Sequence, residues 1–517
     1  MRTAVLITAL VALAPFATAE SPSAATLGVS LRRLTGSWLD QYGGAPKATV
    51  IESPVVAGGG TYTAGEEVPE DPFVEEEDAE GAEGAEEHDE HWHKPLFPLN
   101  MSDYLGFGLS CLGLMIAAGG GIGGGGILVP LYVLVLNFTP KYAIPLSNVT
   151  VFGGACMNYA MNLSKRHPDA DRPLVDWDLI LVMEPLTILG AIIGSYLNKM
   201  LPELVLTILL VILLALTAKS TTEKGIKVYN KETKAKEAAA QKESELAKMS
   251  SEEAAEEAAA ETEGLLAEEG GKKEISPELQ KIYDEERVVP LFKVGVLWAV
   301  FVVVLAVNLL KGGGAFPSPL GIECGSPGFI FSTVFMFAWI VVVSIWCRNY
   351  LIQRHHLKER LGFEYVEGDI KWDETATIKY PLYCMVAGVF AGMFGIGGGI
   401  VKGPLMLAMG IHPKVSSASS ACMIMYTSFT ATTSFFVFGL LKMDYAVVCV
   451  IMGLALTFVG QLGLSAIIKA LGRDSLIVFS IAGVVGLSAI LMGFHSMIAI
   501  MTPGHEEPEA NFCDAGE

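Results

Sequence analysis

The sequence predicts an all-α polytopic membrane protein built of two inverted repeats, each opening with a Gly-rich broken helical hairpin. Three observations carry that expectation. First, 51% of the 517 residues are hydrophobic and only 18% are charged, against about 25% charged in an ordinary soluble domain. Second, the apolar residues gather into runs of about 20, the length that crosses a bilayer, and the mean hydropathy is +0.46. Third, one glycine-rich stretch occurs twice. Together these exclude a simple soluble enzyme. The formal net charge of −21 is confined to two polar stretches, 66–90 and 231–286, and so belongs to appendages of the apolar body. A strongly acidic surface disfavours nucleic acid and anionic headgroups. The lipid bilayer is an expected partner and nucleic acid is not.

Taken in chain order, the apolar run 4–16 ends in Ala17-Thr18-Ala19, the small-x-small pattern of a signal-peptidase site, so residues 1–19 read as a signal peptide. That places the mature N-terminus on the lumenal or extracellular side and the protein in the secretory pathway, at the plasma membrane or an endomembrane. Residues 20–100 are acidic and poor in apolar side chains, which predicts disorder. The first transmembrane repeat, 101–219, holds apolar segments at 104–118, 127–136, 144–163, 179–197 and 204–218. A charged insert follows at 220–287, rich in the helix formers Ala, Glu and Lys. It reads as a cytosolic helix or tether, with protein docking as a second possibility. Residues 288–379 supply two linking transmembrane helices, 288–310 and 330–346, and a basic cytosolic loop. The second repeat, 380–494, holds segments at 380–394, 400–411, 418–441, 445–470 and 476–493, and 495–517 is a tail. None of the eight cysteines has metal-site spacing. Cys324 and Cys513 lie in polar segments and can pair in an oxidising compartment. His88, His91 and His93 sit in the acidic stretch as part of a solvated charge run. No cofactor or metal is expected.

The repeat carries most of the information. Gly121-Ile122-Gly123-Gly124-Gly125, followed by Pro130-Leu131, recurs as Gly395-Ile396-Gly397-Gly398-Gly399, followed by Pro404-Leu405. Further on, Pro140-Lys141 matches Pro413-Lys414, and each step leads to a small polar cluster, Ser147-Asn148 and Ser419-Ser420. Each glycine run separates two short apolar pieces, which fits a pair of half-helices. Irregular backbone at membrane depth is tolerated only inside protein or beside a wet cavity, because lipid cannot satisfy its polar groups. Five spanning segments lie between the two hairpins, and an odd number inverts the second unit. The resulting topology gathers Lys165, Arg166 and Arg172, then Arg348, Arg354, Lys358 and Arg360, then Lys469 and Arg473 on the cytosolic side, as the positive-inside rule requires.

Paired G-x-G-G-G-x-x-x-x-P loops between short apolar helices, each followed by a Pro-Lys step, resemble the sulfite exporter TauE/SafE family of membrane permeases, over about 104–493 outside the insert. The resemblance implies permeation of a small anion such as sulfite or an organosulfonate. The residues agree with it independently. Inverted repeats with broken helices place a substrate site near the midplane, and half-helix N-termini offer N–H groups and positive dipole ends to an anion. Gly121, Gly123, Gly124, Gly125, Gly395, Gly397, Gly398 and Gly399 permit close approach to the backbone, although small residues also serve close helix packing. Lys402 stands in an apolar stretch where the first copy has Leu128. It reads as the anion's counter-charge or as a snorkelling interfacial residue. Glu184, before Pro185, is the carboxylate available for proton coupling or an interfacial residue at a kink. Ser147, Asn148, Ser419 and Ser420 offer hydrogen bonds to oxyanion oxygens or act as helix caps. The pattern G-x-G-x-x-G is met by Gly121, Gly123 and Gly126 but is broken in the second copy by Ile400, and it follows no strand, so it does not indicate nucleotide binding. The expectation is a secondary transporter for a small oxyanion. A non-transporting receptor or scaffold and an intramembrane enzyme are the alternatives.

Overall fold

Why the chain breaks where it does is visible at its helix starts. Pro140 and Pro413, the matching prolines of the repeat, each occupy the first position of a helix, where a fixed φ and a missing N–H cost nothing. The Asp176 carboxylate accepts from the N–H groups of Asp178 and Leu179 at 3.0 Å, and Ser276 and Ser326 cap two further helices in the same way. The computed structural model describes residues 96–120, 123–168, 170–246, 276–366, 368–471 and 475–501. The expected signal peptide, nearly all of the acidic stretch with its three histidines, Gly121 and Cys513 lie outside the described residues. Those residues form helices α1 (Met101–Gly120), α2 (Gly125–Leu134), α3 (Pro140–Asn162), α4 (Trp177–Met200), α5 (Glu203–Leu246), α6 (Pro277–Arg287), α7 (Leu291–Lys311), α8 (Pro327–Arg360), α9 (Ala376–Phe394), α10 (Gly399–Ala408), α11 (Pro413–Val437), α12 (Met443–Leu471) and α13 (Ser475–Met501). An isolated bridge joins Arg166 to Pro173. Helices α1, α4, α5, α7, α8, α9 and α12 contain stretches long and apolar enough to cross a membrane. The protein is an all-α, multi-pass membrane protein.

The packing treats the two copies alike. Pairing α1–α5 with α9–α13 in order leaves the principal contacts unchanged on exchange: α4 runs along α9 as α12 runs along α1, and α3 meets α12 as α11 meets α4. The fourth helix of each copy therefore lies on the hairpin of the other, while α3 against α11 and α5 against α13 join like to like. Helices α3 and α11, 23 and 25 residues long, are not among the helices apolar enough to cross a membrane by composition. They are buried in the middle, which is how Asn148, Thr150, Asn158, Thr427, Ser428, Thr430 and Thr432 become inaccessible. Helices α7 and α8 pack on α4.

Close approach between α4 and α9 is set by four glycines. A Cβ on Gly190 or Gly194 would lie under 3.0 Å from the carbonyl oxygens of Met385 or Val389, and one on Gly388 or Gly392 would meet those of Thr187 or Ala191. Two G-x-x-x-G surfaces thus press backbone to backbone, with no room for side chains between them.

Helix α5 has 44 residues, about 66 Å at 1.5 Å per residue, roughly twice the hydrocarbon thickness. The first part of the charged insert is thus continuous with the span. It is docked as well: the Glu232 carboxylate accepts from the N–H and hydroxyl of Ser475 at the start of α13, at 3.0 and 2.6 Å. The end of the insert forms α6, tied to α8 by Arg354 with Glu285 at 3.0 Å and by Lys358 with Glu286. Lys293 and Lys358 also reach Asp178 at the start of α4. Cys324 is disulfide-bonded, and the other described cysteines are free thiols.

Candidate functional site

Each glycine run makes the same turn. Gly124 precedes α2 at φ 78°, ψ −8°, and Gly398 precedes α10 at φ 75°, ψ −13°. Both are left-handed positions that a side chain resists. The turns converge on two side chains that are themselves repeat partners, Val151 of α3 and Ile424 of α11. A Cβ on Gly123 would stand 3.2 Å from Val151 and 3.4 Å from Ile424, and one on Gly397 would stand 2.5 and 3.2 Å from the same residues. The turns also touch each other, because a Cβ on Gly125 would fall within 3.0 Å of the Gly395 carbonyl and the Ile396 backbone. Gly399 is the first residue of α10, whose opening N–H groups, like those of α2, have no carbonyl one turn earlier in a helix.

Lys402 lies one turn into α10. Its side chain runs back toward the helix start, as long helical side chains do, and its Cε would be 3.3 Å from a Cβ on Gly398. There it meets Glu184. The ammonium is 3.1 Å from Glu184 Oε2 and donates to Thr427 Oγ1 at 2.7 Å, and Thr427 Oγ1 lies 2.7 Å from Glu184 Oε1. Lys402, Glu184 and Thr427 are all 0% exposed. Glu184 reaches this point because it shares a face of α4 with Thr187 and Ala191, which the tight glycine contact holds against α9. Snorkelling of Lys402 to an interface is not what the structure shows.

The small polar residues divide. The Ser147 hydroxyl donates to the Gly395 carbonyl at 2.8 Å, tying α3 to the second glycine turn. Ser419 accepts from the Asp176 N–H at 3.0 Å and so secures the start of α4. Asn148 and Ser420 are different: both are buried, and among the described residues neither the Asn148 amide nor the Ser420 hydroxyl has a hydrogen-bond partner. Leaving a buried polar group unpaired costs about 1–3 kcal/mol. Asn148 is three residues before Val151 and Ser420 four before Ile424, so each shares the helix face that meets the glycine turns. An aromatic cluster joins α3, α7 and α11, with the ring centroid of Phe429 4.8 Å from those of Phe152 and Phe301, and that of Tyr426 5.8 Å from that of Trp298. Among the described residues no group of three His, Cys, Asp or Glu side chains is placed to hold a metal ion.

Lys402 and Glu184 stand out in the sequence as lone charges in apolar runs, but not as a pair. Thr427 was not anticipated. Its signal is the run of Ser and Thr from 427 to 434, too polar to face lipid, in which Ser428, Thr430 and Ser434 donate to the carbonyl four residues earlier.

Comparison with known proteins covers both hairpins. The family described as Sulfite exporter TauE/SafE matches residues 106–249 and 289–492. "Sulfite exporter TauE/SafE family protein 3" of Arabidopsis thaliana is 29% identical over 399 residues, covering 77% of this chain and 79% of that protein. "Sulfite exporter TauE/SafE family protein 2" of the same plant is 29% identical over 413 residues, covering 78% and 84%. No solved structure matches the chain.

Proposed function

The chain belongs to the sulfite exporter TauE/SafE family of membrane transporters, and from that premise we propose that it is a secondary transporter carrying a small oxyanion, sulfite or an organosulfonate, between its two glycine hairpins. It is a transport protein rather than an enzyme. The observation that carries the substrate reading is the buried Lys402, held by Glu184 and Thr427 at the opening of the second half-helix. A positive charge at membrane depth is costly even when paired and marks a functional site by default, and a lysine beside a glycine turn suits an anion that reaches the backbone N–H groups as well. Asn148 and Ser420 are the neutral hydrogen-bonding groups available to its oxygens.

Alternating access follows from the topology we assign. Of the helices between the hairpins, α4, α5, α7 and α8 are long and apolar enough to cross a membrane, and we count the buried α3 as a fifth crossing, which inverts the second copy. Inverted repeats that rock about a shared central site expose it to either side in turn.

The test is uptake of labelled sulfite, sulfate and an alkanesulfonate into proteoliposomes. Wild-type protein should show saturable anion uptake, and Lys402→Ala and Gly398→Val should each reduce it at least tenfold. Absence of uptake of every anion, from protein shown to be folded by its cooperative thermal transition, would return the function to the receptor or scaffold reading.

A further inference from the structure

An ammonium offers three hydrogen-bond donors, and in Lys402 two of them are directed at Glu184 Oε2 and Thr427 Oγ1. Thr427 also holds the second carboxylate oxygen, Glu184 Oε1, at 2.7 Å. The three side chains close a ring with one positive and one negative charge, neutral as a whole and inaccessible to solvent. Among the described residues, Cys384 on α9 and Tyr426 on α11 also lie in electrostatic reach of the pair. Neither supplies a second positive charge.

A charge count follows. If a monoanion joined Lys402 while Glu184 stayed ionised, the pocket would hold one unpaired negative charge in an apolar interior, which proteins avoid. Balance returns if Glu184 takes up one proton.

Building on the oxyanion-transport reading above, we propose that the Glu184 carboxylate is a resident counter-ion which the substrate replaces, so that one proton enters and leaves the site with each monoanion. The only covalent change is at the Glu184 carboxyl. On the loading side it gains a proton from water as the anion takes its place on Lys402 and Thr427. On the unloading side the anion departs, the proton returns to water and the ion pair closes again. The site is neutral both empty and loaded, so the cycle moves no net charge. A dianion leaves one negative charge uncompensated and is selected against.

The test uses purified full-length protein in proteoliposomes containing a pH-reporting dye, with labelled sulfite and with methanesulfonate, a fixed monoanion. An imposed proton gradient should drive accumulation several-fold above equilibrium with about one proton per methanesulfonate. A valinomycin-clamped potassium potential at equal pH should leave the rate unchanged, and excess sulfate should not compete. Glu184→Gln should lose the response to the gradient while still exchanging labelled for unlabelled anion, and Glu184→Asp should retain it. Flux that follows the potential and ignores the gradient overturns this proposal and leaves anion transport standing, as does a gradient response that survives in Glu184→Gln. Absence of flux for any anion overturns both. The wild-type arms decide the matter even if the glutamine variant does not fold.

Discussion

At the scale of single residues, the decisive fact is that Lys402 and Glu184 belong to one ion pair at 3.1 Å. Removing one partner strands the other. Lys402→Ala should therefore destabilise the protein by about 3–5 kcal/mol as well as stop transport, because an uncompensated buried charge remains. Replacing both, with Lys402→Met and Glu184→Leu, keeps the volume and removes both charges. That double variant should recover wild-type stability or exceed it, by up to about 4 kcal/mol, and still carry no anion. Thermal unfolding and flux measured on the same preparations check this; a double variant that transports would show that the pair is structural only. The sequence marked both residues because a charge in an apolar run is conspicuous. Their pairing was not legible, since they lie on helices from different copies and nothing in spacing along the chain joins them. Thr427 was hidden for the opposite reason: one hydroxyl among many in α11 has no individual signature.

At the scale of elements, two kinds of glycine do different work. Gly124 and Gly398 open the second half-helices in a left-handed conformation, and that role was readable from the duplicated motif. A side chain at Gly398 costs about 1–2 kcal/mol in backbone strain alone, so Gly398→Val should weaken both stability and uptake. The second kind fixes the distance between α4 and α9. Gly392→Leu places a side chain where the Ala191 carbonyl already lies and must push the helices apart, carrying Glu184 away from α10. A fall in thermal stability together with loss of flux is expected, and Gly463→Leu, where the added Cβ meets nothing within 4 Å, should be nearly silent. Gly190-x-x-x-Gly194 and Gly388-x-x-x-Gly392 stand in the sequence, but small-residue spacing does not say which two helices will meet. The polar α3 and α11 were recognisable as helices from their apolar positions. That they form the buried centre follows only once the other spans surround them.

At the scale of the whole molecule, the two copies exchange their fourth helices, so neither hairpin is covered by its own unit alone. The repeat was legible because seven matching positions around the glycine runs align without a gap. The cross-packing was not, since it depends on contacts between segments far apart in the chain. The insert also proves to be of two characters, with its first part a continuation of α5 docked through Glu232 and its last part, α6, tied to α8 through Glu285 and Glu286. Deleting 247–268 spares both anchors and should leave uptake within about twofold of wild type. Glu232→Ala, which frees the start of α13, should lower stability by about 1 kcal/mol as a lost cap does. Both are read by thermal unfolding and proteoliposome flux.

The central claim, that Lys402 between the glycine hairpins holds the transported anion, is tested most directly by ligand-dependent thermal stabilisation of the purified protein. A ligand bound by the native state alone raises Tm with concentration. Sulfite or an alkanesulfonate should raise the Tm of wild type in a saturable manner and leave that of the folded Lys402→Met, Glu184→Leu variant unmoved. An equal rise in both proteins would contradict the claim and place the anion elsewhere.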